Sequence, residues 1–332
     1  MDGKRFVRLC TQTQTQALFL VFVFALLLAL ICGCTASPAP SPDAASPIPS
    51  PDASYPAPSP DASYPAEQTV VIGGEEFAVR NGRAVEPECA WDIADKSIAD
   101  LGPFFAARYP TQTQTRTLLQ GTAAEAEITE LIGEGEGPTL YVVAGLHGDE
   151  RAGWFAGTLL KGVTLKAGRL CVLAPANAAG ARELVREMPD GRDLNRSFAQ
   201  RLAESPTETE LFAAALYEDI RASAPAAVFD LHEANVVKEG RDFLGSTLII
   251  TTLDGMEDMF PALLLATQKN GLTAGPYTMS GPGPKGSINQ TVSGGLSIPV
   301  ITVETFRGYA MERRVADDLA IMEYALTYYG MR

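Results

Sequence analysis

Two histidines, the only ones in the chain, each follow an apolar run that is typical of a buried strand. His147 follows the run 140–146, and His232 follows the run 226–231. Glu150 comes three residues after His147, where the chain turns into a predicted helix. Two imidazole nitrogens and one carboxylate oxygen leave a fourth position open on zinc, as in catalytic rather than structural sites. A lone histidine at a strand end often binds only backbone groups, so the metal site is predicted from the combination of both histidines with Glu150.

Hydrolysis at such a site also requires a base that takes a proton from water. Glu304 is the candidate, because it ends another strand-like run, 299–303, at the same predicted edge of the sheet. On its own, a glutamate at a strand end is more often a solvated surface carboxylate. The prediction therefore depends on Glu304 lying close to the two histidines.

Several cationic side chains lie in the middle of the sequence. A turn-rich segment, Asp-Gly-Arg-Asp-Leu-Asn-Arg, ends in Asn195 and Arg196, and Arg186 lies upstream of it. The guanidinium of arginine is a planar donor that suits a carboxylate, and Arg186 could reach an oxygen bound to the zinc. Arg182 and Arg192 are close in sequence and are alternatives to Arg186. A charge cluster at the end of a helix is the other interpretation of this segment.

Alternating strand and helix patterns would position these residues. Strand-like runs occur at 116–122, 126–132, 140–146, 169–175, 226–231, 246–252 and 299–304, and helical patterns at 151–161, 177–187, 207–222, 256–270 and 311–329. Ser205 with Glu208 predicts a capping box at the start of the third helix. Long apolar strands that alternate with helices indicate an α/β fold with a mostly parallel or mixed central sheet and helices on both faces. In such folds the ligand site lies beyond the carboxyl ends of the strands.

Four motifs occur in the order found in the zinc carboxypeptidase superfamily, and they look most like its succinylglutamate desuccinylase and aspartoacylase branch. The motifs are His147-x-x-Glu150, Asp193-Leu-Asn-Arg196, Asp230-Leu-His232 and Thr302-Val-Glu304. The resemblance covers roughly residues 115–330 and implies a zinc carboxypeptidase-like fold. It implies one zinc ion on His147, Glu150 and His232, with Glu304 as general base and proton shuttle. It also implies that Asn195 and Arg196 bind a substrate carboxylate and that Arg186 polarises the scissile carbonyl.

Three functions remain open at this point. The first is a zinc-dependent hydrolase that cleaves the amide bond of a small N-acyl amino acid-like substrate. The second is an exported metallocarboxypeptidase that acts on peptides, including those of the cell wall. The third, a zinc-containing surface protein without turnover, is disfavoured by the presence of Glu304. The sequence ends 28 residues after Glu304, without the additional C-terminal β-domain of the deacylases, which leaves the choice of substrate open.

The N-terminal residues 1–33 have the pattern of a bacterial export signal. Three basic residues, Lys4, Arg5 and Arg8, precede an apolar run over 17–31, which ends in Ile-Cys-Gly-Cys. This ending resembles a lipobox and predicts lipidation of Cys34, which would anchor the exported protein to the outer face of the cell membrane. Secretion with the signal removed, or retention of the apolar run as an anchor, is the alternative.

The remaining organisation follows from composition. Residues 34–67 are rich in Pro, Ser and Ala, which predicts an extended tether. Residues 68–114 are predicted to form a small extension packed on the main domain. Residues 115–332 are predicted to form the catalytic domain. Within the extension, a hairpin is predicted near its start and a helix over 91–108. The formal net charge of −14 repels phosphates and argues against a nucleic-acid partner. Two cysteines outside the signal, Cys89 and Cys171, are expected to stay unpaired.

Overall fold

The computed structural model describes residues 68–72, 74–89, 95–235, 245–269 and 271–332. The predicted export signal, the tether and the proposed lipidation site Cys34 lie outside these residues. None of the helices in the described residues is both long enough and apolar enough to cross a membrane. No disulfide joins Cys89 to Cys171.

The strands of the described residues form two sheets. A small antiparallel sheet contains β1 (Gln68–Ile72), β2 (Glu75–Arg80) and β3 (Arg83–Ala84). The larger sheet contains β4 (Thr111–Leu118), β5 (Ala126–Gly133), β6 (Gly135–Ala144), β7 (Ala167–Leu173), β8 (Ala227–Ala234), β9 (Thr247–Ile250), β10 (Thr278–Ser280) and β11 (Val300–Phe306). Its strand order is β10-β9-β11-β8-β6-β7-β5-β4. The neighbours β11, β8, β6 and β7 are mutually parallel, whereas β9, β5 and β4 pair antiparallel to their inner neighbours. The mixed central sheet is therefore confirmed.

Helices cover both faces of the larger sheet. They are α1 (Arg151–Leu160), α2 (Ala178–Glu183), α3 (Glu208–Ser223), α4 (Met259–Lys269), α5 (Ile288–Leu296) and α6 (Met311–Tyr328). Alternate side chains of β6 enter different clusters, as the period-two geometry of a strand requires. Leu140 and Val142 pack with residues of α1, α4 and α6, whereas Tyr141 and Val143 pack with residues of α3 and α5. Every residue of β8 is buried, because this strand is covered on both sides.

The helix predicted over 91–108 is wrong in the part that the structure describes. The described residues contain no α-helix there, and the 3₁₀ turn Ile98–Leu101 ends at Gly102. Gly102 has a φ of 133°, and Pro103 follows it. Proline disfavours helical geometry in the residue before it, so the apolar spacing on both sides of the Gly-Pro pair does not continue as one helix.

The start of α3 also differs from the prediction. Thr207, not Ser205, is the capping residue, and its hydroxyl accepts a hydrogen bond from the backbone N–H of Glu210. The Glu210 carboxylate in turn accepts the Thr207 N–H at 2.8 Å. The capping box is present, two residues later than expected.

The predicted hairpin near the start of the extension is confirmed. β1 and β2 pair antiparallel, with Val70 opposite Phe77. The larger sheet begins before residue 115, the predicted start of the catalytic domain. Its first strand, β4, begins at Thr111 and pairs with β5 along its whole length.

Candidate metal centre and active site

His147 is held where β6 turns into α1. The backbone carbonyl of His147 accepts a hydrogen bond from the N–H of Glu150, which closes the turn. Gly148 lies between them, and a side chain there would collide with the backbone of Gly180 at 2.0 Å. Glu150 occupies the position directly before α1, where the partial positive charge of the helix end stabilises a carboxylate. The His-Gly-Asp-Glu segment therefore places an imidazole and a carboxylate on the same side of the turn.

His232 and Glu304 lie on adjacent parallel strands. They are direct partners in the register of β8 and β11, so their side chains leave the sheet on the same face. Thr302 stands two residues before Glu304 on that face, and its hydroxyl donates to the Asp230 carboxylate at 3.1 Å. The pairing of these two strands brings Glu304 to the site, as predicted.

The three predicted ligands converge at one point. Nδ1 of His147 lies 2.8 Å from one oxygen of Glu150, and Nδ1 of His232 lies 2.7 Å from the other. One donor atom from each residue lies within 4.8 Å of the other two, and all three side chains are buried. The residues form a group that could hold a metal ion.

The outer nitrogens of the two imidazoles face carboxylates. Nε2 of His147 lies 3.0 Å from Asp193 Oδ1, and Nε2 of His232 lies 3.0 Å from Asp230 Oδ1. Asp230 Oδ1 is buried and has no hydrogen bond, so a proton on Nε2 of His232 would satisfy it. The same protonation of His147 satisfies Asp193, and both Nδ1 lone pairs are then directed inwards. Carboxylates behind metal-binding histidines act in this way, so the residues present fit a metal ion.

Burial and charge shift the acidity of the carboxylates at the site. Burial away from water raises the pKa of Glu304 to about 7. The nearby His232 favours the charged carboxylate and offsets this rise only in part. Burial also opposes ionisation of Glu150, but the two imidazoles outweigh it and hold the pKa of that carboxyl well below its usual range. Glu304 is therefore poised to exchange protons near neutral pH.

The three residues predicted to bind substrate all lie at the site, and Asn195 has a different partner from that expected. Arg186 contacts Glu150 at 3.2 Å and Asp193 at 2.9 Å. The side-chain nitrogen of Asn195 lies 3.1 Å from Nε2 of His232, and its oxygen accepts the N–H of Ile288, so this buried side chain contacts a histidine of the site. Arg196 is exposed.

A pocket of about 360 Å³ opens onto the convergent group. Its lining includes the predicted residues His147, Glu150, Arg186, Asn195, Arg196, His232 and Glu304. Arg182 and Arg192 do not line it, so Arg186 is the one of these three arginines that lies at the pocket. A pocket of this size accommodates a small molecule or the end of a peptide.

Comparison with known proteins agrees with this geometry. Residues 136–239 match the succinylglutamate desuccinylase/aspartoacylase catalytic domain. Over these residues the chain is similar to this family's catalytic domain. The predicted resemblance is therefore confirmed, and the match contains the motifs of His147, Glu150, Asn195, Arg196 and His232. No curated protein sequence matches the chain.

Solved structures share the fold. A succinylglutamate desuccinylase from Silicibacter sp. TM1040 is 20% identical, with 68% of each chain covered and a TM-score of 0.51. The product-bound ectoine utilization protein EutE (DoeB) from Ruegeria pomeroyi is 22% identical, with 68% of each chain covered and a TM-score of 0.51. The product-bound cell shape determinant protein Csd4 from Helicobacter pylori is 19% identical, with a TM-score of 0.52. This match covers 62% of our chain and 56% of the Csd4 chain. At these identities the similarity establishes the fold alone.

Two residues of the desuccinylase/aspartoacylase motifs have roles that the sequence did not reveal. Asp193 and Asp230 were noted only as parts of motifs, but each places a carboxylate behind a histidine. The role of Asp230 could have been predicted from its spacing to His232, because residues i and i+2 of a strand share a face. Asp193 could be connected to His147 only through the tertiary fold, since 46 residues separate them.

From the sequence, the glycine-rich stretch 280–286 is either a mobile loop over the site or a plain surface loop, and Tyr277 and Lys285 are candidate substrate contacts. The stretch contains no helix or strand over 281–286 and leads into α5, which begins after the capping residue Ser287. The helix escaped detection because Gly294 and Gly295 lower its propensity. Tyr277 is fully buried in the core and cannot contact a substrate in the pocket, and Lys285 lines a neighbouring groove rather than the pocket.

A buried ion pair anchors the start of α1 behind the site. Glu233, next to the candidate ligand His232, accepts the N–H of Ala152 at 3.1 Å and a hydrogen bond from Arg314. The side chains of Glu233 and Arg314 are both fully buried. The N–H of Glu233 also donates to Glu150 at 3.0 Å. This pair therefore supports the residue that joins the two histidines.

Loss of this ion pair is expected to destabilise the protein strongly. Arg314→Met should cost about 3–5 kcal/mol of unfolding free energy, because a buried carboxylate is left without its main partner. Urea denaturation followed by circular dichroism measures the change. Arg221→Gln is the matched control, because Arg221 and its partner Glu218 are both more than half exposed, and it should leave the midpoint unchanged. Equal midpoints for both variants would contradict the anchoring role.

Proposed function

We propose that this protein is a zinc-dependent hydrolase that cleaves an amide bond of a small N-acyl amino acid-like substrate carrying a carboxylate. The supporting observation is the convergence of His147, Glu150 and His232 on one point of a pocket that also contains Glu304. Two nitrogens and one carboxylate oxygen match the donors of catalytic zinc sites. The desuccinylase/aspartoacylase match over residues 136–239 supports the reaction class.

The protein would supply the remaining parts of the reaction. A bound zinc ion would contribute Lewis acidity, which polarises a carbonyl and makes a water molecule more acidic. Glu304 takes a proton from water and transfers it to the leaving amine, for which a pKa of about 7 is suited. Arg186, already between Glu150 and Asp193, is close enough to the ligands to stabilise negative charge on the carbonyl oxygen.

Arg196 would bind the substrate carboxylate. Its guanidinium donates one hydrogen bond to the backbone carbonyl of Asn195 and makes no ion pair with the described residues. It therefore keeps donors available at the pocket for a carboxylate. Asn195 supports this role indirectly, because its side chain contacts His232 and accepts the N–H of Ile288 at the start of α5.

Hydrolysis of defined amides tests the proposal. The zinc-loaded protein should release free amino acid from a panel of N-acetyl and N-succinyl amino acids, and chelation of zinc should abolish release. The same compounds with the amino acid carboxylate converted to an amide should react poorly, because Arg196 loses its partner. A zinc-loaded protein that hydrolyses neither acyl amino acids nor peptides would refute the proposal and favour a binding protein.

A metallocarboxypeptidase is the second candidate. Arg196 lines both the pocket and a neighbouring open groove with Phe198, Gln200 and Lys285, which gives room for a larger substrate. The fold is also similar to that of a cell shape determinant protein. Peptides that vary at the C-terminal residue distinguish the two functions. Faster release of C-terminal residues from peptides than of amino acids from N-acyl compounds would favour the carboxypeptidase.

Arg196→Ala is expected to raise KM by about 10- to 100-fold while changing kcat much less. A carboxylate clamp binds the ground state and the transition state alike, so its loss appears in KM. Steady-state kinetics on the best N-acyl substrate measures both constants. Arg192→Ala, which removes a nearby arginine outside the pocket, should change neither. A fall in kcat alone would contradict the assignment.

We further propose that the protein is exported and anchored to the outer face of the cell membrane through lipidated Cys34. The support is the lipobox-like sequence after the apolar run and the Pro-rich segment that follows. Cys34→Ser should shift most of the protein from the membrane fraction or block its processing, as measured by fractionation and mass spectrometry. Wild-type protein free in the medium, with its N-terminus after Cys34, would contradict lipidation.

A further inference from the structure

Arg83 lies on the wall of the active-site pocket although it belongs to the small N-terminal sheet. Four arginines line the pocket within the described residues: Arg83, Arg186, Arg196 and Arg307. Arg83 stands outside the range 136–239 that matches the family. The small N-terminal sheet, residues 68–84, therefore contributes to a pocket whose other residues belong to the larger sheet and its connections.

The four arginines differ in their partners. Arg186 is paired with Glu150 and Asp193, and Arg307 is paired with Asp149 and lies near Glu233. These charges are neutralised by the protein itself. In the described part of the chain, neither Arg83 nor Arg196 has a carboxylate partner. Because a guanidinium stays charged at any accessible pH, two positive charges at the pocket remain available to a ligand.

The backbone of Arg83 is held in place. The N–H of the next residue, Ala84, donates to the carbonyl of Asn235 at 2.8 Å, directly after the end of β8. The Ala84 side chain is buried in a small apolar cluster with Phe77, Phe306 and Tyr309. Successive side chains of a strand point in opposite directions, so burial of Ala84 turns Arg83 away from this cluster. The pocket lies on that side.

Further contacts fix the hairpin on both sides of Arg83. The Phe77 ring packs edge-on against Phe306, with centroids 5.1 Å apart, and Phe306 lies two residues after Glu304 on β11. On the other side, Glu86 accepts a hydrogen bond from Arg314 at 2.7 Å. Arg83 is therefore attached to the strands that carry His232 and Glu304.

We propose that Arg83 is a specificity-determining residue that binds a second carboxylate of the substrate, distinct from the one bound by Arg196. This inference rests on the proposed hydrolase function. Arg196 is on the turn after Asp193, whereas Arg83 lies beside the end of β8, so the two free guanidinium groups are carried by different elements of the pocket wall. A substrate with an anionic group at each end uses both free charges, and a neutral acyl group leaves Arg83 without a partner.

Equilibrium binding tests the proposal without turnover. Linear dicarboxylates from succinate to suberate are titrated into the zinc-loaded protein, each beside its monoamide, which has the same length and one charge fewer. For at least one chain length, the second carboxylate should lower Kd about tenfold, the gain expected from one charge-assisted pair. Arg83→Gln should abolish this gain. Arg80→Gln, which removes the cross-strand neighbour of Arg83 on the same hairpin, should retain it.

The outcomes separate this inference from the proposed function. Equal Kd values for dicarboxylates and monoamides in the wild type, or a full gain in Arg83→Gln, overturn the role of Arg83 even where amides are hydrolysed. A gain that depends on Arg83, in a protein that cleaves no amide, supports the second carboxylate site and refutes the hydrolase. Thermal unfolding of Arg83→Gln should match the wild type, because the side chain is exposed.

Discussion

His232→Ala is expected to remove most of the zinc from a protein that otherwise holds about one ion per chain. His232 supplies one of three inward donors, and Glu150 contacts both histidines. The fall in affinity should exceed the roughly 10- to 100-fold that loss of an outer carboxylate costs. Metal analysis after dialysis against a zinc buffer measures the occupancy, and hydrolysis should be lost with it. His147→Ala should behave in the same way.

Arg182→Ala provides the control for the histidine variants. Arg182 is close to Arg186 in sequence but does not line the pocket, so its loss should leave both zinc and activity intact. Circular dichroism of the metal-free proteins shows whether His232→Ala still folds. A folded His232→Ala protein with full zinc occupancy would show that the metal, if any, is bound elsewhere.

Glu304→Gln is expected to lower kcat by at least about a hundredfold while zinc remains bound. Glutamine keeps the size and the hydrogen-bonding shape of glutamate but cannot take a proton at neutral pH. Glu304 is not a member of the convergent ligand group, so the variant separates proton transfer from metal binding. Single-turnover kinetics and metal analysis on the same preparation measure the two properties.

Near-normal turnover by Glu304→Gln would show that another residue is the general base. Glu233 is the next candidate from its position beside His232, but its carboxylate accepts hydrogen bonds from Ala152 and Arg314. Glu233→Gln should therefore lower stability rather than act selectively on kcat. A fall in kcat for Glu233→Gln at unchanged stability and zinc content would reverse the two roles.

The fold class was predictable because most of its elements carry strong periodic signals. The apolar runs that became β6 and β8 are long and buried on both faces, and such runs alternating with helices specify a layered α/β fold. Elements with weak local signals were not predictable. α5 contains two glycines, and the short strand β10 has three exposed residues, so both depend on tertiary contacts more than on their own sequence.

The candidate ligands were predictable for a topological reason. Parallel strands bring their carboxyl ends to one edge of the sheet, so the residues after β6 and at the ends of β8 and β11 had to meet there. Local spacing was sufficient for His147 and Glu150, because a three-residue turn into a helix keeps them together. The assignment of Glu304 needed only the further assumption that its strand lies beside β8, which the register bears out.

The sequence by itself determined the chemical types at the site, because the chain has only two histidines and each follows an apolar strand. Only the tertiary structure decided what stands behind and beside them. Asp193 is 46 residues from His147 in the sequence, and Arg314 is 81 residues from Glu233. No local sequence pattern connects residues that are so far apart along the chain. The same holds for Arg83, which reaches the pocket because Ala84 binds Asn235 and the apolar face of its hairpin packs against Phe306. Side-chain pairing over such separations is set by packing, and packing exists only in the folded chain.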